Sequence, residues 1–288
     1  MERKLSWKNT RKRYLRRITP GRIAQYIYIY LITIIVLFPV LNIFVSAFKT
    51  NTEILRSTML PAPLYLGNFQ KVFQQKYLYS GFLNSIVITV CSLFISTILS
   101  MLAAYPLSRN DGRVYKFIYF FFISAQLIPS VTNLIPLYQL LKNLHLMDTR
   151  IGMILLYGSQ MVMGILLFTS FIKTIPRVMT EAAEIDGCNY LQAFFYVVFP
   201  MLKPVTVTYI MVRVLSIWND FLWPQLFLPS REKQTITLVV FAYQNESAGN
   251  DWGAIFALMA LSSLPPILFF ILNQKYFFEN MSLGAIKG

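Results

Sequence analysis

The stretch EAAEIDGCNY brings together Glu181, Glu184 and Asp186, three of only 12 acidic side chains in a chain of 288 residues. Carboxylates this close can ligate a metal, move protons or meet a basic partner. A zinc-type site needs His or Cys at fixed spacing. The chain has a single histidine, His145, and two isolated cysteines, Cys91 and Cys188. It has no G-x-S-x-G elbow for a serine nucleophile and no G-x-x-x-x-G-K-[ST] loop to cradle phosphates. Of these, a basic protein partner fits the acidic stretch best. A second set of polar residues is scattered among apolar runs: Gln126, Asn133, Arg213, Trp218, Asn219 and Asp220.

The elements that must hold these residues follow from composition. The chain is 56% hydrophobic and 13% charged, with mean hydropathy +0.54, which is the balance of a bilayer protein. A hydrocarbon core of about 30 Å takes roughly 20 helical residues. Windows poor in charge predict six helices, near 23–48, 81–105, 117–141, 151–172, 204–224 and 253–274, the fifth interrupted by Arg213 and Asp220. These runs are apolar on every face, whereas a barrel strand would alternate. The fold class expected is an all-α integral membrane protein. The first run is too long for a cleaved secretory signal and reads as an anchor.

Lys and Arg orient the spans. Arg3, Lys4, Lys8, Arg11, Lys12, Arg13, Arg16, Arg17 and Arg22 make residues 1–22 a basic segment, and the turn 106–116, the segment 173–203 and the tail add more on the same side. Both termini and the acidic stretch are therefore expected in the cytoplasm. The net charge of +14 is placed where it orients helices and meets anionic lipid, so no nucleic-acid partner is inferred. Cys91 falls in a span and Cys188 in a reducing compartment, which argues against a disulfide.

The segment 174–200 is too polar to cross a membrane and too apolar to float free. Ala182 and Ala183 favour a helix, Pro176 suits its first turn, and Thr180 is a local cap. Ala183, Gly187, Tyr190, Phe194 and Val198 form an apolar stripe, with Glu181 and Glu184 on another face. It reads as one amphipathic helix, or as two with a bend at Gly187. A helix lying on lipid would carry Lys and Arg on its polar face, and this one carries acid.

Glu181-Ala182-Ala183, Asp186-Gly187, Phe194, Pro200 and Pro204 resemble the EAA motif of the permease subunits of ATP-binding-cassette importers. Cys188, where alanine is common, and Phe199, where leucine is common, depart from it without removing a charge or the glycine. The resemblance implies a cytoplasmic coupling helix in which Glu181, Ala182, Ala183, Glu184, Asp186 and Gly187 dock an ATPase subunit. WNDFLWP (Trp218 to Pro224) and QKYFFENMSLGAIKG (Gln274 to Gly288) are similar to carbohydrate-uptake permeases of the maltose type, the smaller six-span member of the pair. That implies a transmembrane domain over 23–288, a second homologous permease, two ATPase subunits carrying ATP and Mg, and an extracellular or periplasmic solute-binding protein met by the outer segments 49–80 and 225–252. This chain would bind no cofactor or metal, catalyse no reaction, and reside in a bacterial or archaeal cell membrane. It also implies that the tail touches the ATPases. Glycerol phosphate permeases share much of the pattern, so a non-sugar solute stays open.

Polar groups inside spans are costly and default to functional candidates. Gln126 and Asn133, near Pro129 and Pro136, are candidates to line the pathway, with helix-to-helix hydrogen bonding as the alternative. Arg213 either lines the route with Asn219 and Asp220 or pairs with the second permease. Asp220 is expected at the outer interface, and Trp218 and Trp223 are expected in the interfacial belt rather than as sugar platforms. Pro265 and Pro266 predict a kink. The rival functional class, an ion-coupled carrier, would need acids at the midplane and repeated halves. Asp220 is the only acid in a span, and no repeat is evident. An intramembrane enzyme lacks any nucleophile and base pair.

Overall fold

A computed structural model describes the backbone of residues 20–247 and 250–285, and the side chains of 21–129, 131–247 and 250–275. Most of the basic segment 1–22 and the tail side chains beyond 275 therefore lie outside the described residues. The helices run α1 Pro20–Ser46, α2 Asn51–Leu55, α3 Gly67–Phe73, α4 Leu78–Arg109, α5 Arg113–Gln126, α6 Leu134–Asn143, α7 Arg150–Ser159 and α8 Val162–Ile172. They continue with α9 Arg177–Ile185, α10 Tyr190–Ala193, α11 Phe199–Met201, α12 Lys203–Trp218, α13 Leu222–Phe227, α14 Ile236–Glu246 and α15 Trp252–Ala285. No strand occurs among the described residues.

Among the described residues, three helices are long and apolar enough to cross a membrane singly, namely α1, α4 and the first part of α15. Three further candidates are bent pairs: α5 with the α6 arm at 89°, α7 with α8 at 40°, and the 190–201 segment with α12 at 72°. Counting each bent pair as one span gives up to 6. The breaks have local causes. Pro129 removes a backbone donor after α5, and its carbonyl is taken by the Thr132 hydroxyl at 2.6 Å. Between α7 and α8, Gln160 leaves the helical region at φ −76°, ψ 63°. The lone helix α15 runs through Pro265 and Pro266 without a break.

Helix α4 is the centre of the fold, packed against α7, α8, α12 and α14. Its buried face carries small polar residues, Ser85, Thr89, Ser92, Ser96 and Ser100, at successive steps of three or four. Small side chains let helices approach closely where lipid supplies no hydrophobic drive for association. The Ser92 hydroxyl donates to the Ile154 carbonyl at 3.3 Å and Ser100 to the Met161 carbonyl at 3.1 Å, the latter at the α7/α8 break. Gly164 completes the fit, because a Cβ there would run into the Ser100 side chain and lie 3.0 Å from the Tyr209 ring. By contrast α1 is exposed along most of its length and joins the core only near Ile43, Phe44 and Ala47.

Candidate functional site

The acidic segment folds as two helices. Helix α9 begins after Pro176 and stops at Asp186. Gly187 takes φ +89°, the left-handed region open to glycine. The Gly187 amide donates to the Glu184 carbonyl at 3.0 Å and the Cys188 amide to the Ala183 carbonyl at 2.9 Å, which together make a Schellman stop. Asn189 and Gln192 then form a capping box that starts α10. Thr180 is no cap: its hydroxyl is buried and donates to the Arg177 carbonyl at 2.8 Å.

The reversal at Gly187 divides the expected apolar stripe. Ala183, Phe194 and Val198 are buried, whereas Gly187 and half of Tyr190 are at the surface. Glu181, Ala182, Glu184, Asp186 and Gly187 are exposed together, beside an Ile185 side chain that is 87% exposed. Ala183 turns inward, so its contribution to any docking face is to seat the helix. A Cβ on Gly187 would meet nothing within 4 Å, so this turn offers open backbone.

The base of the segment is held by the end of α4. Arg109 Nη1 donates to the Ile175 carbonyl at 2.9 Å. Asp111 and Arg177 pair at 2.7 Å in solvent, and this bond chiefly holds the Asp111 carboxyl below its ordinary value. Phe194 and Val198 pack with Met101, Tyr105, Phe168 and Ile172 in one apolar cluster.

The polar residues of the spans separate into distinct places. Arg213 is buried and donates to the Tyr157 carbonyl at 3.2 Å and to Gln160 Oε1 at 3.3 Å. Asp220 accepts from the Tyr157 hydroxyl at 2.9 Å and from the Trp223 amide at 3.4 Å. Arg213 and Asp220 are thus joined through Tyr157 rather than to each other. Asp220 has a partner within its own chain, the bond that a partly buried carboxylate needs. Pairing of Arg213 with a second permease is likewise unnecessary to satisfy its Nη2, which residues of its own chain engage.

Trp218 and Trp223 are buried, which corrects their assignment to an interfacial belt. Trp223 stacks on Phe227 at 5.7 Å between centroids. Trp218 Nε1 donates to the Ser262 carbonyl at 3.1 Å. In a helix that carbonyl would accept from residue 266, and Pro266 has no N–H to give. The indole fills the vacancy. Trp218 also borders a cavity of about 570 Å³ between α4, α12 and α15, otherwise walled by apolar groups such as Val90, Phe94 and Pro265. Gln126 and Asn133 bracket the α5/α6 break and are exposed, and Asn219, also exposed, ends α12. Tyr157, Gln160 and Arg109 escaped the sequence reading. The polar run Tyr157-Gly158-Ser159-Gln160 within an apolar window was the available signal for the first two.

Among the described residues no group of three or more His, Cys, Asp or Glu is placed to hold a metal ion. Residues 96–282 match the family described as binding-protein-dependent transport system inner membrane component. The chain is 34% identical over 246 residues to the melibiose/raffinose/stachyose import permease protein MelC of Bacillus subtilis (strain 168), covering 84% of this chain and 88% of that one. It is 32% identical to the probable starch degradation products transport system permease protein AmyC of Thermoanaerobacterium thermosulfurigenes, covering 86% and 91%. The fold superposes with TM-score 0.80 on a chain of a bacterial ABC transporter involved in the import of the acidic polysaccharide alginate, at 22% identity and covering 91% of this chain and 98% of that one. A family match over most of the chain, in an all-helical protein rich in apolar spans, makes this a bacterial membrane permease belonging to the binding-protein-dependent transport system inner membrane components.

Proposed function

We propose that this chain is one of two non-identical permease subunits of an ATP-driven importer of sugars or oligosaccharides, and that segment 174–200 is its cytoplasmic coupling element. The observation that carries this is the exposed acidic face of α9, ended by an unobstructed Gly187 turn and seated on the end of α4. Acid next to an anionic leaflet is repelled, whereas a basic cleft on a protein attracts it. Glu181, Ala182, Glu184, Asp186 and Gly187 dock an ATPase subunit that holds the ATP and Mg. Closure of two such subunits moves the segment, and the spans alternate between inward and outward openings.

The substrate class rests on the relatives, whose names include melibiose, raffinose and stachyose import and uptake of starch degradation products. An extracellular solute-binding protein as partner is supported by a structural neighbour in complex with an alginate pentasaccharide-bound periplasmic protein. Gln126, Asn133 and Asn219, polar and exposed at helix breaks, border the route. An ion-coupled carrier is disfavoured because Asp220 is already engaged by Tyr157.

The test is co-purification of the detergent-solubilised chain expressed with its neighbouring genes. Wild type is expected to bring down a P-loop ATPase, and Glu181→Lys and Gly187→Asp are expected to lose or uncouple it. A wild-type chain that purifies alone and transports on a proton or sodium gradient refutes the proposal.

A further inference from the structure

We infer that Arg109 is a positioning residue that clamps the coupling segment to α4, making α4 a rod that carries movement of that segment to the opposite surface. The inference rests on the coupling role proposed above.

The segment grips the end of α4 at two points. Before α9, the Ile175 carbonyl accepts from Arg109 Nη1 at 2.9 Å. After α9, Tyr190 and Phe194 close on Tyr105, with ring centroids 4.5 Å and 5.1 Å away. Tyr105 and Arg109 are four residues apart, so the clamp is built on one face of one helical turn. Arg109 Nε and Nη2 are buried and have no hydrogen-bond partner in this conformation. Buried donors without partners are rare and call for an explanation. Spare donors on a rigid planar fork let the guanidinium keep hold while the Ile175 carbonyl shifts beside it.

The rod is continuous. Helix α4 runs 32 residues, about 48 Å, as a single helix, with Pro106 inside its last turn between Tyr105 and Arg109. At its far end Asn84 Nδ2 donates to the carbonyls of Glu232 and Gln234, both at 2.9 Å. One residue on, the Ser85 hydroxyl accepts from the Ile236 amide at 2.9 Å, just where α14 begins. The helix gripped by the coupling segment through Arg109 and Tyr105, on both sides of α9, therefore also holds the start of α14 on the other side of the fold. A displacement at Ile175 reaches residues 232–236 through one unbroken element, not through the bent pairs.

The experiment uses the full transporter, co-expressed and reconstituted, with three readouts: retained ATPase subunits, ATPase activity with and without loaded binding protein, and uptake. Arg109→Gln is expected to keep the ATPase subunits but lower stimulated turnover and uptake by about tenfold, the scale of one lost charged hydrogen bond. Arg109→Lys, which still offers a donor to Ile175, is expected to recover a large part. Arg177→Gln, which removes the neighbouring exposed ion pair, is expected to stay within about twofold of wild type. Uptake by Arg109→Gln within about twofold of wild type would overturn the clamp. So would loss of the ATPase subunits in that variant, since Arg109 would then act in docking. If the Arg109→Gln permease chain itself is not recovered from the membrane, Tyr190→Leu tests the other arm, and unchanged stimulated turnover there counts against the inference. Absence of ATPase subunits from the wild-type preparation refutes the coupling role itself, a separate and recognisable failure.

Discussion

Replacing Trp218 by Phe removes one hydrogen-bond donor at a place where the backbone cannot supply another. The Ser262 carbonyl accepts from Trp218 Nε1 at 3.1 Å, and Pro266, four residues on, has no N–H. With Phe, a part-buried carbonyl loses its partner, at a cost of up to about 1–3 kcal/mol. Transmembrane double-mutant cycles average about 0.6 kcal/mol, which sets the lower end. The smaller ring also leaves packing unfilled, and this adds to the total without testing the hydrogen bond. A double-mutant cycle separates the two contributions. Pro266→Ala restores an N–H that can reach Ser262, so in that background Trp218→Phe is expected to cost less by about 1 kcal/mol, while the packing loss cancels. The assay is reversible unfolding of the purified chain in mixed micelles as SDS is titrated. Strict additivity of the two substitutions would refute the pairing of indole and proline.

Two further predictions concern parts remote from the coupling segment. Asp148 is held below its ordinary value: burial pushes the carboxyl up, but hydrogen bonds from Lys233 and Ser230 and the Lys233 charge outweigh it. A carboxylate depressed in the folded state stabilises above its unfolded value of 3.8 and loses that contribution as pH falls through its lower folded value. Asp148→Asn, which tolerates the φ of 54° there, is expected to lower Tm by about 2 °C at pH 7, the difference closing toward pH 3; a pH-independent difference would refute the linkage. Gly164→Ala is expected to destabilise by about 1–3 kcal/mol through overpacking against Ser100, and Ser100→Gly is expected to restore part of it in the same unfolding assay.

The sequence by itself determined the class of the protein. Long charge-free runs can bury their backbone polar groups in lipid only as helices, so the all-α membrane fold was legible from composition. The acidic stretch was legible too, because it interrupts apolar surroundings, and its bend at Gly187 was one of the two shapes foreseen. Tertiary structure decided the rest. It chose two helices over one by closing a Schellman stop at Gly187, and it turned Ala183 inward. It joined Arg213 to Asp220 through Tyr157, a residue more than fifty positions from either. It buried Trp218 to satisfy Ser262, where an aromatic belt had been expected. It set Arg109 under Ile175. The physical reason is common to all of these. In a soluble helix, solvent marks the outer face with polar residues, but lipid is as apolar as a protein core, so the periodicity that reveals the inner face is largely absent. Which face turns inward was then decided by close packing of small residues along α4 and by the need of each buried polar group to find a partner.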